Sequence, residues 1–148
     1  MKKFFISAML ITALSGASFA EPAFDKSRGN VKAATQARFT RDFEGAENVT
    51  WEVSYEFQKA TFSLNGKSIT AFYDWSHNLK ATTQNIDFVE LPAQAIKNLM
   101  RTYPDHKIEA IIKYFDGHTV YFLNLKKEKA DFLVKIEPDF YVQYFKGL

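Results

Sequence analysis

The sequence predicts an α+β fold built from two tandem units, each one helix followed by about four antiparallel strands. Three observations carry this. Several segments alternate apolar and polar residues with a period of two; one segment carries a single apolar stripe at helical spacing; and the order of helix then strands occurs twice, about sixty residues apart.

The first helix is expected from Val31 to Phe43. Phe39 and Phe43 stand four apart, Ala33, Ala34 and Ala37 favour helix, and Gly45 ends it. Val49, Trp51, Val53 and Tyr55 then alternate with polar residues, as do Ala60, Phe62 and Leu64, so both segments read as half-buried strands. Asn65-Gly66 predicts a tight hairpin, since both residues tolerate positive φ. Ser68 to Tyr73 returns as a third strand and Leu79 to Phe88 as a fourth.

The second helix has the stronger pattern. Leu91, Ala95, Ile96, Leu99, Met100 and Tyr103 share one face, Pro92 falls in the first turn, where its missing N–H is harmless, and Pro104 ends the helix. Four strands follow: Lys107 to Tyr114, Thr119 to Leu125, Asp131 to Ile136, and Phe140 to Phe145. Asp116-Gly117, a polar turn at Lys126-Lys127-Glu128-Lys129, and Pro138-Asp139 separate them. Arg41 and Arg101, Phe43 and Tyr103, Val49 and Ile108, Phe62 and Phe122, and Leu79 and Phe140 recur at this spacing. They predict an internal duplication, with repeat one at about 31–88 and repeat two at about 89–148 of a single domain.

The N-terminus has an address. Lys2-Lys3, an apolar run from Phe4 to Leu14, and Ser18-Phe19-Ala20 read as a signal peptide over residues 1–20, cleaved after Ala20. The run is short of the ~20 residues that cross a bilayer, so no span remains after cleavage. Residues 21–30 mix charge, Pro and Gly with no apolar period and read as a flexible leader. The expected location is the periplasm, with release outside the cell as the other outcome. Lys2 and Lys3 leave with the signal, so the nineteen basic residues fall to seventeen, equal to the seventeen acidic ones. A neutral domain without a basic block gives no reason to expect nucleic acid as a partner. The chain has no cysteine, which removes lipoprotein anchors, disulfides and thiol nucleophiles together.

A resemblance follows from Phe39, Phe43, Gly45-Ala46, Val49 and Trp51, then Ala60 and Phe62, then Leu91-Pro92, Ile96, Tyr103-Pro104 and Ile108. This pattern resembles the PepSY-like, β-lactamase-inhibitor-like periplasmic proteins of Bacteroidetes, over nearly all of the mature chain. The resemblance implies paired helix-plus-sheet repeats, export, and a family mostly without an established function; inhibition or protein binding is implied by fold analogy alone. The turn after the third strand reads Asp-x-x-Gly in the family, but here Asp74-Trp75-Ser76-His77 and Glu137-Pro138-Asp139-Phe140 lack the glycine.

No catalytic set stands out, so the chain is read as a non-enzyme without cofactor or metal. His77, His106 and His118 each sit in or beside a turn with no metal-ligand spacing, and no Asp-x-Asp-x-Asp calcium loop exists. Asp105-His106 and Asp116-x-His118 are acid–imidazole pairs without a serine elbow. Only their convergence on one cleft would make an enzyme of them.

The remaining signal is a difference between the repeats. At a spacing of sixty, Thr61, Ser63 and Asn65 stand against Tyr121, Leu123 and Leu125, so one strand is apolar on both faces and must be covered. The expected cover is the first helix, the leader, the other repeat, another periplasmic protein or a second copy of this chain. Trp75, Tyr121, Leu123 and Tyr141 are the candidate contact residues, with Tyr114 and Tyr144 also suited to an interface. The function expected is a periplasmic protein-binding or inhibitory module. The fifteen Phe motivate an alternative, a carrier of a small apolar ligand in a cavity between helix and sheet.

Overall fold

In the computed structural model, which describes residues 30–148, the chain divides into two units, the first ending at Gln84 and the second running from Asn85 to Leu148. The expected signal peptide and, Asn30 apart, the leader lie outside the described residues. The division falls four residues before the expected one. The strand expected to reach Phe88 stops at Asn85, and a 3-10 turn, Phe88–Glu90, follows it. A capping box closes that turn, with Glu90 Oε1 accepting from the Asp87 N–H at 3.1 Å.

The class is α+β as expected, with two helices and eight antiparallel strands among the described residues. The first unit holds α1 (Ala33–Asp42), β1 (Glu47–Val53), β2 (Gln58–Leu64), β3 (Lys67–Tyr73) and β4 (Leu79–Asn85). The second holds α2 (Ala93–Thr102), β5 (Lys107–Phe115), β6 (Thr119–Lys127), β7 (Ala130–Ile136) and β8 (Val142–Gly147). Within each unit consecutive strands pair antiparallel, so the strands of each unit form a meander. Pro92 sits one position earlier than expected, as the N-cap of α2.

In the first unit, α1 lies on the sheet through Phe39. Its ring meets Trp51 at 5.3 Å and Phe62 at 4.9 Å, both edge-on, and Phe43 meets Phe62 at 4.7 Å. Ala60 and Ala71, directly opposite each other on β2 and β3, keep the layer beneath thin. Each such ring pair adds about 0.5–1.5 kcal/mol beyond area burial. The Tyr73 hydroxyl donates to Asp42 Oδ2 at 3.2 Å, tying the end of β3 to the last turn of α1. Burial pushes the Tyr73 phenol well above its ordinary range, and the Asp42 charge and this bond push it further.

In the second unit Leu91, Ala95 and Leu99 pack on Ile111, Leu123, Leu125, Val134, Ile136 and Val142. This corrects one expectation. Phe62 faces the helix of its unit, whereas Phe122 points away from α2 and its neighbours Leu123 and Leu125 face it. The reason is the length of one hairpin. Trp51 pairs with Ala60 in the first unit, and Ile111 pairs with Leu123 in the second, so the hairpin beyond the core pair is three residues longer in the second unit, in its strands and not in its turn. Because side chains alternate along a strand, an odd offset exchanges the two faces. Strand β6 is nonetheless buried on both faces: Val120 and Phe122 are 2% and 1% exposed on the face away from α2. There Phe122 meets Tyr114 at 6.2 Å and Phe145 at 5.1 Å.

Replacing Phe39 by Ala is expected to cost about 3–5 kcal/mol and Leu99→Ala about 2–5 kcal/mol, measured by urea unfolding. The raised Tyr73 phenol makes a second expectation. Its contribution is complete below the ordinary tyrosine pKa of about 10 and is lost as pH rises through its higher folded value. Tyr73→Phe therefore flattens the loss of stability above about pH 10, read by phenolate absorbance alongside circular dichroism.

Candidate functional site

The antiparallel order places the β1–β2 and β3–β4 turns at one end of the first unit's sheet, with the Asn65-Gly66 turn at the other. Among the described residues of this unit, the exposed large apolar side chains are Tyr55, 68% exposed, and Trp75, 42% exposed. Both sit in the first pair of turns.

Each turn is closed by a side chain. In the β1–β2 turn Ser54 Oγ accepts from the N–H groups of Glu56 at 3.2 Å and Phe57 at 3.1 Å. In the β3–β4 turn the Asp74 carboxylate accepts from the N–H groups of Ser76 and Asn78, both at 2.9 Å. Burial pushes the Asp74 carboxyl upward, but these donors at Asn78 and Ser76, with Lys80 nearby, outweigh it and hold the group below the usual carboxylate range.

The two turns are joined to each other and to the helix. The Trp75 indole Nε1–H donates to the Tyr55 carbonyl at 2.8 Å. His77 Nδ1 lies 2.8 Å from Thr35 Oγ1, and Thr35 is fully buried in the first turn of α1. Buried Gln58 bridges the same region: its Oε1 accepts from the Lys32 N–H at 2.9 Å, and its Nε2 donates to the Asp74 carbonyl at 3.4 Å. An exposed aromatic pair thus rests on a fixed polar scaffold.

The corresponding end of the second unit carries Phe115, 46% exposed, and Tyr141, 62% exposed. The Glu137 N–H bonds the Tyr141 carbonyl at 3.0 Å and the Phe140 N–H bonds the Glu137 carbonyl at 2.8 Å. Asn98 Nδ2 on α2 donates to the Phe140 carbonyl at 2.9 Å. In the β5–β6 turn the Asp116 carboxylate lies 3.3 Å from both the Tyr114 hydroxyl and His118 Nδ1. Burial, then the Asp116 charge and hydrogen bond, push the Tyr114 phenol well above its ordinary range.

Of the contact residues expected from sequence, Trp75 and Tyr141 are exposed in turns at these ends, and Tyr144 is exposed on β8. Tyr121 is half-buried against the α2 core, where burial raises its phenol pKa. Leu123 is 0% exposed within that core, and Tyr114 is 4% exposed. Sequence reasoning missed Tyr55 and Phe115. Tyr55 continues the alternation of Val49, Trp51 and Val53, but β1 ends at Val53. The signal lay in Ser54, a residue that caps its own turn.

The acid–imidazole pairs do not converge. Asp105 and His106 precede β5, while Asp116 and His118 follow its last residue, Phe115, so nine residues of strand, roughly 30 Å, separate them. The His106 ring instead packs edge-on against Tyr103 and Phe132. Among the described residues no group of three or more His, Asp or Glu is placed to hold a metal ion, and no helix is long and apolar enough to cross a membrane.

Comparison with solved structures returns the fold. A BLIP-like protein from Bacteroides fragilis superposes with a TM-score of 0.76 at 13% identity, over 84% of this chain and 91% of that one. A DUF2874 family protein from Bacteroides uniformis gives a TM-score of 0.74 at 12% identity, over 80% of this chain and 90% of that one. A Bacteroides eggerthii structure described as a candidate periplasmic protein gives 0.73 at 12% identity, over 80% and 90%. At such identities the likeness is one of fold, and the neighbours match the β-lactamase-inhibitor-like proteins of Bacteroidetes that the sequence resembles. No family model matches the sequence, and no curated protein matches it.

The depressed Asp74 carboxyl sets an acid limit on the turn. Its contribution is present above the unfolded carboxylate pKa of about 3.9 and is lost as pH falls through the lower folded value. Asp74→Ala is expected to free the turn at neutral pH as acid does in the parent, and amide exchange at Ser76 and Asn78 measures both.

Proposed function

We propose that the chain is an exported, non-catalytic module that binds another protein of the periplasm through the turn-end aromatics of its sheets. The observation that carries this is the Trp75–Tyr55 pair. Exposed aromatics that are already fixed in place lose little entropy on binding and offer large contact area. Export is supported by the signal-peptide pattern at the N-terminus, and the fold likeness to a BLIP-like protein and to a candidate periplasmic protein is consistent with both parts of the reading.

The geometry also bears on the partner. The Trp75 indole N–H is already used on Tyr55, so Trp75 offers a partner its ring faces and edges. A protein segment bearing apolar or cationic side chains suits such a surface. The alternative, a ligand carrier, needs an apolar space between helix and sheet, but that layer in the first unit is filled by Phe39, Phe43, Trp51 and Phe62 in ring contact.

The same reading extends to origin: we propose that the units arose by duplication. Both helices end with a C-cap at φ −133 and ψ 62, at Phe43 and Tyr103. Both third-strand turns place a non-glycine residue at positive φ, His77 at 65 and Phe140 at 66. The paired hydrogen bonds of Asp74, His77 and Asn78 recur at Glu137, Phe140 and Tyr141.

A photo-crosslinking residue at position 75 or 55 is expected to form a discrete adduct in periplasm, whereas the same residue at Gly66, on the opposite end, forms none. Once the adduct names the partner, Trp75→Ala is expected to weaken binding about 30-fold or more, the effect of losing a hot-spot side chain. Adducts confined to position 66, or binding indifferent to Trp75→Ala, would defeat the proposal.

A further inference from the structure

The β3–β4 turn requires a left-handed residue at its fourth position, and His77 occupies it at φ 65. A residue with a Cβ is strained in this conformation by about 1–2 kcal/mol, and glycine is not. The imidazole therefore offsets a backbone cost, and its contact accounts for how. Nδ1 reaches 2.8 Å to Thr35 Oγ1, the hydroxyl of a residue with no exposed surface on the first turn of α1. The His77 N–H closes the turn on the Asp74 carbonyl at 3.0 Å, and Trp75 lies between these two residues with its indole on Tyr55.

We infer that His77 is the positioning residue of the aromatic tip, holding Trp75 against Tyr55 by tying the β3–β4 turn to Thr35 of α1. This rests on the reading of Trp75 as a contact residue for its consequence alone; the coupling itself is a property of the isolated protein. The second unit shows what the position does without an imidazole. There Phe140 takes the left-handed conformation, and the tie to the helix comes from Asn98 to the Phe140 carbonyl, a bond that fixes backbone. In the first unit a side chain of the turn itself makes the hydrogen bond to the helix, whereas the Phe140 ring packs on the core that holds Leu91, Ala95 and Leu99.

The test separates positioning from backbone strain. Glycine at 77 relieves the strain and removes the tie. Asparagine tolerates the same conformation and carries a polar atom near the place of Nδ1. Thr35→Val removes the hydroxyl while keeping the shape. Exchange of the Trp75 indole Nε1–H, followed by NMR in the free protein, is the readout. His77→Gly and Thr35→Val are expected to speed it about tenfold, the effect of losing one ordinary hydrogen bond, with His77→Gly melting no lower than the parent. His77→Asn keeps the parent rate. Parent-like exchange in Thr35→Val would overturn the inference, as would glycine protecting the indole better than asparagine. Should His77→Gly fail to fold, Thr35→Val decides alone. Since no partner is present, this result is independent of the crosslinking outcome at position 75.

Discussion

A helix of ten residues has no stable existence in water, because its nucleation cost is recovered only over a longer run of hydrogen bonds. Both helices here are ten residues long. Each is helical because a sheet face receives it: Phe39 sits against Trp51 and Phe62, and Leu99 against the β5–β7 layer. The constraint runs both ways, since the apolar face that each meander turns to its helix needs a cover. Helix and sheet in each unit therefore form as one cooperative body, and the turns inherit their positions from that body.

This dependence explains why polar side chains with buried partners cluster where helix and turn meet. Thr35, Gln58 and Asn98 are not needed to fill space. They satisfy backbone and side-chain groups that the short helix and the tight turns leave open, and a buried group left open costs more than a made bond returns. The aromatic tip is rigid because the groups beneath it have all been given partners: Asp74 takes two N–H donors, Gln58 uses both ends of its amide, and the indole takes the Tyr55 carbonyl.

Much of the fold was legible because its patterns are local. The stripe of Leu91, Ala95 and Leu99, the alternation through Ala60, Phe62 and Leu64, and the Asn65-Gly66 turn each announce themselves within a few residues. What was not legible depended on register between distant strands. A spacing of sixty sets Leu123 and Tyr121 on the face opposite Phe62 and makes them candidate contacts, but the longer β5–β6 hairpin shifts the core pairing by three, and an odd shift turns a strand over. Trp75 and Tyr141 are exposed because a large ring in a turn has little to bury it. Tyr55 was hidden by its own alternation, which Ser54 interrupts through hydrogen bonds that no hydropathy pattern records.

The three extra residues of the β5–β6 hairpin have a consequence for how such a domain can diversify. They lie in the paired ends of β5 and β6, which run two residue pairs further past the core pair than β1 and β2 do, at the end where Phe115 and Tyr141 project, and Leu123 still meets the helix layer. Strand length at this end is therefore a free variable: a hairpin can extend there while the layer that faces the helix stays the same. A lineage built on this plan can change what it displays at that end without passing through intermediates that fail to fold.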